Sequence, residues 1–120
     1  MKTGHHKRVL VVDVGGTHVK MRVFGRREMR QFDSGPGMTP QRMVDRVHEL
    51  KGDWIYDAVS IGYPGVVVHG TVLAEPHNLG RGWVGFNFRK AFGRPVHALN
   101  DAAMQAIGSY EGGRMLFLGL

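Results

Sequence analysis

Val9, Leu10, Val11, Val12 and Val14 form a nearly unbroken apolar run, the pattern of a strand buried on both faces. After Gly15-Gly16-Thr17 the pattern becomes strict alternation, with Val19, Met21 and Val23 on one side and His18, Lys20 and Arg22 on the other. Period two predicts a second strand, so the paired glycine joins two strands instead of opening a helix. Asp33 to Pro40, DSGPGMTP, reads as a loop leading to a helix: Thr39 is placed as N-cap, Pro40 as first helical residue, and Met43, Val44, Val47 and Leu50 recur at helical spacing. YDAVSIGYPG predicts a short buried strand that breaks at Gly62-Tyr63-Pro64-Gly65, and VVVHGTVL a hairpin turning at His69-Gly70. FNFRKAFGRP suits a short helix stopped by Gly93 and Pro95, followed by a strand at VHAL. A helix over Asn100 to Tyr110, with Ala102, Ala103, Ala106, Ile107 and Tyr110 inward, and a strand over Met115 to Leu120 complete the reading. Early hairpins followed by alternating helix and strand predict an α/β domain with a mixed sheet and flanking helices.

Composition narrows the class. At 120 residues one core is expected, burying roughly two-thirds of the unfolded surface. No apolar run approaches the ~20 residues of a membrane span, and MKTGHHKR leads into a valine-rich strand without a small-residue cleavage site, so a soluble cytoplasmic protein is expected. With no cysteine, disulfides and thiolate metal sites are excluded. A formal charge of +6 favours anionic partners in general. A base-reading motif or interleaved aromatic platform is missing, which places a specific nucleic-acid role last. The apolar Met115–Leu120 strand needs an edge partner, from which we expect either a second domain or self-association into a homo-oligomer.

Three segments carry candidate chemistry. Asp13 ends a buried strand, where ligands of open α/β sheets collect, beside amides and a hydroxyl of Gly15, Gly16 and Thr17 that can face phosphate oxygens. The turn carries neither a dinucleotide fingerprint nor a P-loop, and a plain Gly-Gly hairpin with a solvent-facing Asp accounts for it equally well. In PHNLGRGW, Asn78 offers the donors and acceptor that suit sugar hydroxyls, or serves as an ordinary turn asparagine. In ALNDAAMQA, Asn100 and Asp101 lie between a strand and the first turn of a helix, where one of them suffices as a cap and two invite a second role. The scattered histidines offer no metal spacing, Trp54 and Trp83 read as core or loop anchors, and the arginines at 26, 27 and 30, with Arg89, Lys90 and Arg94, read as solvated faces.

Taken together, DVGGTHVK, GYPGVVVHG, PHNLGRGWVGF and LNDA stand in the order and spacing of the repressor, open-reading-frame and kinase (ROK) family, and the chain resembles the polyphosphate glucokinases of that family from Val9 to Leu120. The resemblance implies an actin-like ATPase, ribonuclease H-like fold. Residues 1–8 would be a basic arm, 9–114 the small N-terminal domain, and 115–120 the first strand of a second domain. It implies Mg2+, glucose as acceptor, and polyphosphate or ATP as donor. Asp13 would help position magnesium, Gly15, Gly16 and Thr17 would lie at the donor phosphates with Lys20 in the same motif, Asn78 and Asn100 would bind hexose hydroxyls, and Asp101 would bind sugar as the catalytic base. Phosphoryl transfer is governed by positioning and charge stabilisation, which these residue types can supply. Two departures stand out. Ala103 occupies a position where many members carry Asn or Asp, and the family's Gly-Thr-Gly phosphate loop, its sugar-binding Glu and His and any zinc site would fall beyond Leu120. The expectation is thus the N-terminal half of a glucokinase, inactive without the C-terminal kinase domain. The alternative is a non-catalytic sugar- or phosphate-binding module of the same fold.

Overall fold

The computed structural model describes residues 8–102 and 104. The basic arm up to Lys7, Ala103, the continuation of the expected helix to Tyr110 and the Met115–Leu120 strand lie outside the described residues.

β1 (Val9–Val14) and β2 (His18–Val23) pair antiparallel through the Gly15–Thr17 turn, with Asp13 opposite Lys20 and Val14 opposite Val19. β3 (Arg30–Asp33) adds to the outer side of β2, contributing one buried side chain, Phe32. The chain then crosses through α1 (Pro40–Leu50) to β4 (Ala58–Tyr63), which lies parallel to β1 on its other side. A hairpin of β5 (Val67–Val68) and β6 (Thr71–Val72), a long loop and α2 (Phe88–Phe92) lead to β7 (Val96–Asn100), parallel to β4. The result is a five-stranded mixed sheet in the order β3-β2-β1-β4-β7.

Local sequence explains the boundaries. The Thr39 side chain accepts from the Arg42 N–H, and Pro40 follows where a missing N–H costs nothing. Asn87 caps α2 in the same way through the Lys90 N–H, and Gly93 ends it in the left-handed conformation at φ 68°. The alternation in β2 becomes a sided strand, with Val19, Met21 and Val23 buried and Lys20 and Arg22 exposed. These three join Leu10, Val12 and Val14 of β1, Val59, Ile61 and Tyr63 of β4, and Met43, Val44 and Val47 of α1 in one core. Val9, Val11, Asp13, Ala58, Ser60 and Gly62 take the other face by strand parity. On that face the Ser60 hydroxyl is fully buried without a hydrogen-bond partner among the described residues.

One arginine departs from the solvated face expected of it. Arg30 stacks over Trp54 at 4.2 Å, pairs with Glu28 at 2.8 Å and donates to the Leu50 carbonyl at 2.6 Å. It ties β3 to the end of α1. Trp54 and Trp83 are buried, as expected of anchors.

Candidate functional site

In an open sheet, ligands gather at the carboxyl ends of the strands where successive connections leave in opposite directions. Here that point lies between β1 and β4: the chain leaves β1 towards β2 and β3, then returns to build β4 and β7 on the other side. The candidate site residues Asp13, Gly15, Gly16, Thr17, Lys20, Asn78, Asn100 and Asp101 lie at this end of the sheet or in a loop reaching it.

The turn after β1 is shaped by its neighbours. The Gly15 N–H donates to the His18 carbonyl at 2.9 Å, and a Cβ on Gly15 would lie 2.9 Å from that same oxygen. The Gly15 amide is therefore committed to the turn, which leaves the N–H groups of Gly16 and Thr17 without an acceptor among the described residues. Ser34 clamps the turn from outside, its hydroxyl donating to the Gly15 carbonyl at 2.6 Å and its N–H to the Thr17 carbonyl at 2.9 Å. The Thr17 hydroxyl lies 3.1 Å from His18 Nδ1.

The PHNLGRGW loop comes to this turn. A Cβ on Gly16 would meet the Asn78 Cβ at 3.4 Å and its Nδ2 at 3.7 Å, so the second motif rests on the first. The loop is held by two buried anchors and a carboxylate. Trp83 is fully buried against Tyr63 and Phe88 and donates its indole N–H to the Met38 carbonyl at 3.1 Å; the Gly80 N–H reaches the same oxygen at 2.9 Å. A Cβ on Gly80 would lie 3.0 Å from that carbonyl, so close approach requires glycine there. Glu75 accepts the N–H groups of Gly82, Trp83 and Val84 at 2.9, 3.1 and 3.2 Å. Desolvation pushes the Glu75 carboxyl up, but those three donors together with Arg81 outweigh it and hold it below the usual carboxylate range. The Tyr63 hydroxyl donates to the Ala74 carbonyl, and burial, reinforced by the nearby Glu75 charge, raises it to about 12.

The third motif closes the arrangement from the β4 side. Gly62 sits beside Asp13 in the β1–β4 ladder, and a Cβ on it would meet the Asp101 Cα at 3.5 Å and the flexible end of Met104 at 2.5 Å. Asp101 and Ala102 are helical, directly after β7. Asn100 accepts the Ala102 N–H at 3.0 Å and donates to the Gly65 carbonyl at 2.7 Å. It is therefore the helix cap and also the tie that fixes the loop after β4, so Asp101 is free of capping duty.

Asp13 and Asp101 thus flank Gly62, Asn78 covers Gly16, and Lys20 lies opposite Asp13 on β2. Among the described residues no three His, Asp or Glu side chains gather into a metal cage. One or two carboxylates beside bared amides fit Mg2+, which is commonly held by few carboxylates, waters and substrate phosphates. Of the residues that build the site, Ser34 and Glu75 carry no sequence signal of their own, and Gly62, expected to break the strand, lies inside β4, which runs on to Tyr63. No helix among the described residues is long and apolar enough to cross a membrane.

No protein-family model and no curated protein matches the chain. Solved structures do. A ROK family glucokinase from Streptomyces griseus in complex with glucose and AMPPNP superposes with a TM-score of 0.69 at 28% identity, covering 90% of this chain and 38% of that one. An inorganic polyphosphate/ATP-glucomannokinase from Arthrobacter sp. strain KM gives 0.67 at 24% identity, over 90% of this chain and 50% of that one. A ROK hexokinase from Thermus thermophilus gives 0.65 at 20%, over 86% and 38%. The structural neighbours are ROK family sugar kinases, and the fold is that of the actin-like ATPases. The chain spans between 38% and 50% of the length of these three structures.

Proposed function

We propose that this chain is the N-terminal half of a glucokinase that transfers a phosphoryl group from polyphosphate or ATP to the 6-hydroxyl of glucose. One observation carries the reading: four segments far apart in sequence meet at the switch point of the sheet, with Asn78 against Gly16, Asp101 against Gly62, and Gly62 beside Asp13 in the β1–β4 ladder. An ordinary hairpin turn requires none of these contacts. The neighbours add support, one being a glucokinase crystallised with glucose and AMPPNP and another a polyphosphate/ATP-glucomannokinase.

In this reading Asp101 accepts the proton of the sugar hydroxyl as it attacks, a role for a carboxylate that is neither capping a helix nor paired with a cation among the described residues. Asn78 donates to ring hydroxyls from a loop that Glu75 and Trp83 hold rigid. Asn100 contributes mainly by position, since its amide already bonds Gly65 and Ala102. The Gly16 and Thr17 amides face donor phosphate oxygens, and Lys20 adds a positive charge opposite Asp13. Asp13 would help position magnesium, which supplies charge neutralisation at the phosphates when bound. The second half of the site, and turnover itself, belong to a C-terminal kinase domain.

Amide NMR of the chain separates this reading from that of a plain α/β module. Glucose is expected to shift Asn78, Asn100 and Asp101, and a non-hydrolysable ATP analogue with Mg2+ to shift Gly16 and Thr17. If neither ligand moves these amides at millimolar concentration, the proposal fails.

A further inference from the structure

We infer that His18 is a positioning residue of the β1–β2 turn: by taking up one proton, it turns the Thr17 hydroxyl into a hydrogen-bond donor towards a bound anion. The inference rests on the proposed reading in which Gly16 and Thr17 face phosphate oxygens, and adds proton-linked recognition to it.

The imidazole is held from two sides. His18 opens β2 on the face turned away from the core, half-buried, and stands opposite Asp33 of β3 in the ladder. Its Nδ1 lies 3.1 Å from the Thr17 hydroxyl and its Nε2 3.6 Å from the Asp33 carboxylate. Among the described residues no other histidine has a polar partner on either ring nitrogen. The backbone beside it is pinned, since the Thr17 carbonyl accepts the Ser34 N–H and the Gly15 carbonyl accepts the Ser34 hydroxyl. The Thr17 hydroxyl can therefore change direction by rotation alone while the turn stays in place.

Its direction depends on the charge of the ring. An ionised carboxylate only accepts, so in the neutral imidazole Asp33 favours the proton on Nε2. Nδ1 is then bare and takes the hydroxyl hydrogen of Thr17. Only lone pairs face outward, the wrong polarity for a phosphate oxygen. In the protonated ring Nδ1 is a donor, the hydroxyl accepts from it, and its own hydrogen swings out to join the bared N–H groups of Gly16 and Thr17. The positive ring stands directly behind that donor and strengthens it.

The other charges around the ring are Asp33 on β3, Lys20 further along β2, Asp13 opposite Lys20 on β1, and His77 beside Asn78 in the loop that rests on Gly16. Asp33 is almost fully exposed, so solvent screens it and it orients the ring more than it holds the charge. An anion at the turn supplies negative charge on the Thr17 side. Proton uptake by His18 and anion binding consequently favour each other, by the same factor in either direction.

The test titrates the chain at fixed ionic strength with sulfate, an acceptor-only dianion whose own charge does not change where histidine titrates. Amide NMR at Gly16 and Thr17 and the ring C–H signals of the histidines are followed. Sulfate should bind about threefold to tenfold more tightly near pH 5.5 than near pH 7.5, and the His18 titration should move to higher pH when sulfate is bound. His18→Gln, uncharged throughout, should abolish this pH dependence, whereas His77→Gln should retain it. Thr17→Val should weaken binding by a larger factor near the lower pH than near the higher, which a charge acting without the hydroxyl would not do. Both side chains sit at the rim of the turn, and unchanged amide signals in the core would confirm that the variants fold. Equal affinity at the two pH values, pH dependence that survives His18→Gln, or a Thr17→Val loss of the same factor at both would each overturn the inference. Those outcomes leave an anion responding at Gly16 and Thr17, so the kinase reading stands. No response to sulfate at either pH overturns the inference alone, and no response to the ATP analogue with Mg2+ as well overturns both.

Discussion

At the turn between β5 and β6, His69 and Gly70 both take the left-handed backbone, with φ of 51° and 76°, and a Cβ on Gly70 would meet nothing within 4 Å. At the turn between β1 and β2, neither Gly15 nor Gly16 is left-handed, yet a Cβ on Gly15 would press on the His18 carbonyl at 2.9 Å, and one on Gly16 would rest against Asn78 at 3.4 Å. The first turn needs glycine for its own torsions, because a two-residue hairpin of this hand matches the twist of its strands. The second needs glycine for what is packed on it. Glycine demanded by torsion makes a hairpin, and glycine demanded by neighbours marks a place where other segments converge. At the β1–β2 turn that segment is the Asn78 loop resting on Gly16, whereas among the described residues nothing packs on Gly70 of the β5–β6 turn.

The comparison is broken hardest at its catalytic end. In an active enzyme containing this chain, Asp101→Asn should lower kcat by about 10²–10⁴-fold with sugar affinity nearly unchanged, because the amide is almost isosteric but cannot take a proton. The fold should be indifferent, since Asn100 provides the cap. A coupled glucose 6-phosphate assay checks this, and a wild-type kcat would reduce Asp101 to a structural residue.

Next in size is a paired substitution in the two turns. Gly15→Ala sets a Cβ against backbone that cannot swing away, so about 1–3 kcal/mol of stability should be lost, together with the nucleotide response of Gly16 and Thr17. Gly70→Ala meets no atom but keeps a left-handed torsion, costing about 1–2 kcal/mol with ligand responses intact. Urea denaturation and NMR titration of both variants decide the matter. Loss of ligand response in Gly70→Ala would erase the distinction.

The same contrast explains what the sequence reveals. Torsional and periodic demands are local, so the alternation of β2, the Thr39-Pro40 helix start, the His69-Gly70 turn and the Gly93 stop can all be read directly from residue order. β3 is nearly silent because a four-residue edge strand buries only Phe32. Asp13, Asn78 and Asp101 are legible as residue types in motif order, but what joins them is not. The contacts of Gly16 with Asn78, Gly62 with Asp101 and Gly80 with Met38 span tens of residues and leave no periodicity. Ser34 and Glu75 are ordinary loop residues until the fold brings backbone N–H and carbonyl groups to them. Arg30 likewise looks like one more surface charge until Trp54 lies under it.

Glu75 makes the loop carrying Asn78 sensitive to pH. Its carboxyl titrates below the ordinary value of 4.5 in the folded chain, so the unfolded chain binds the proton more readily. Its contribution to stability is complete above pH 4.5 and is lost as pH falls through the lowered folded value. Glu75→Gln should flatten that part of the stability profile and loosen the loop at neutral pH, seen as faster hydrogen exchange at Gly82, Trp83 and Val84. A variant whose acid profile matches the wild type would show that the three N–H bonds do not hold the loop. The His69-Gly70 hairpin has no carboxylate among its four strand residues and turn, so it should show no comparable transition.

The smallest effect comes from improving the scaffold turn. His69 is the one non-glycine residue with positive φ among the described residues, and histidine tolerates that region less readily than asparagine. Asn-Gly is the pair best suited to a turn with both central residues left-handed, so His69→Asn should stabilise the chain by about 0.5 kcal/mol, or roughly 2–4 °C in Tm. The His69 side chain is exposed, and among the described residues no hydrogen bond or ion pair holds it to offset the gain. The matching change at the other turn, Gly16→Asn, should act in the opposite sense, because its side chain would displace Asn78 instead of relieving a torsion. Calorimetric melting of the two variants side by side gives the sign of each shift, and two shifts of the same sign would mean that the two turns obey one rule after all.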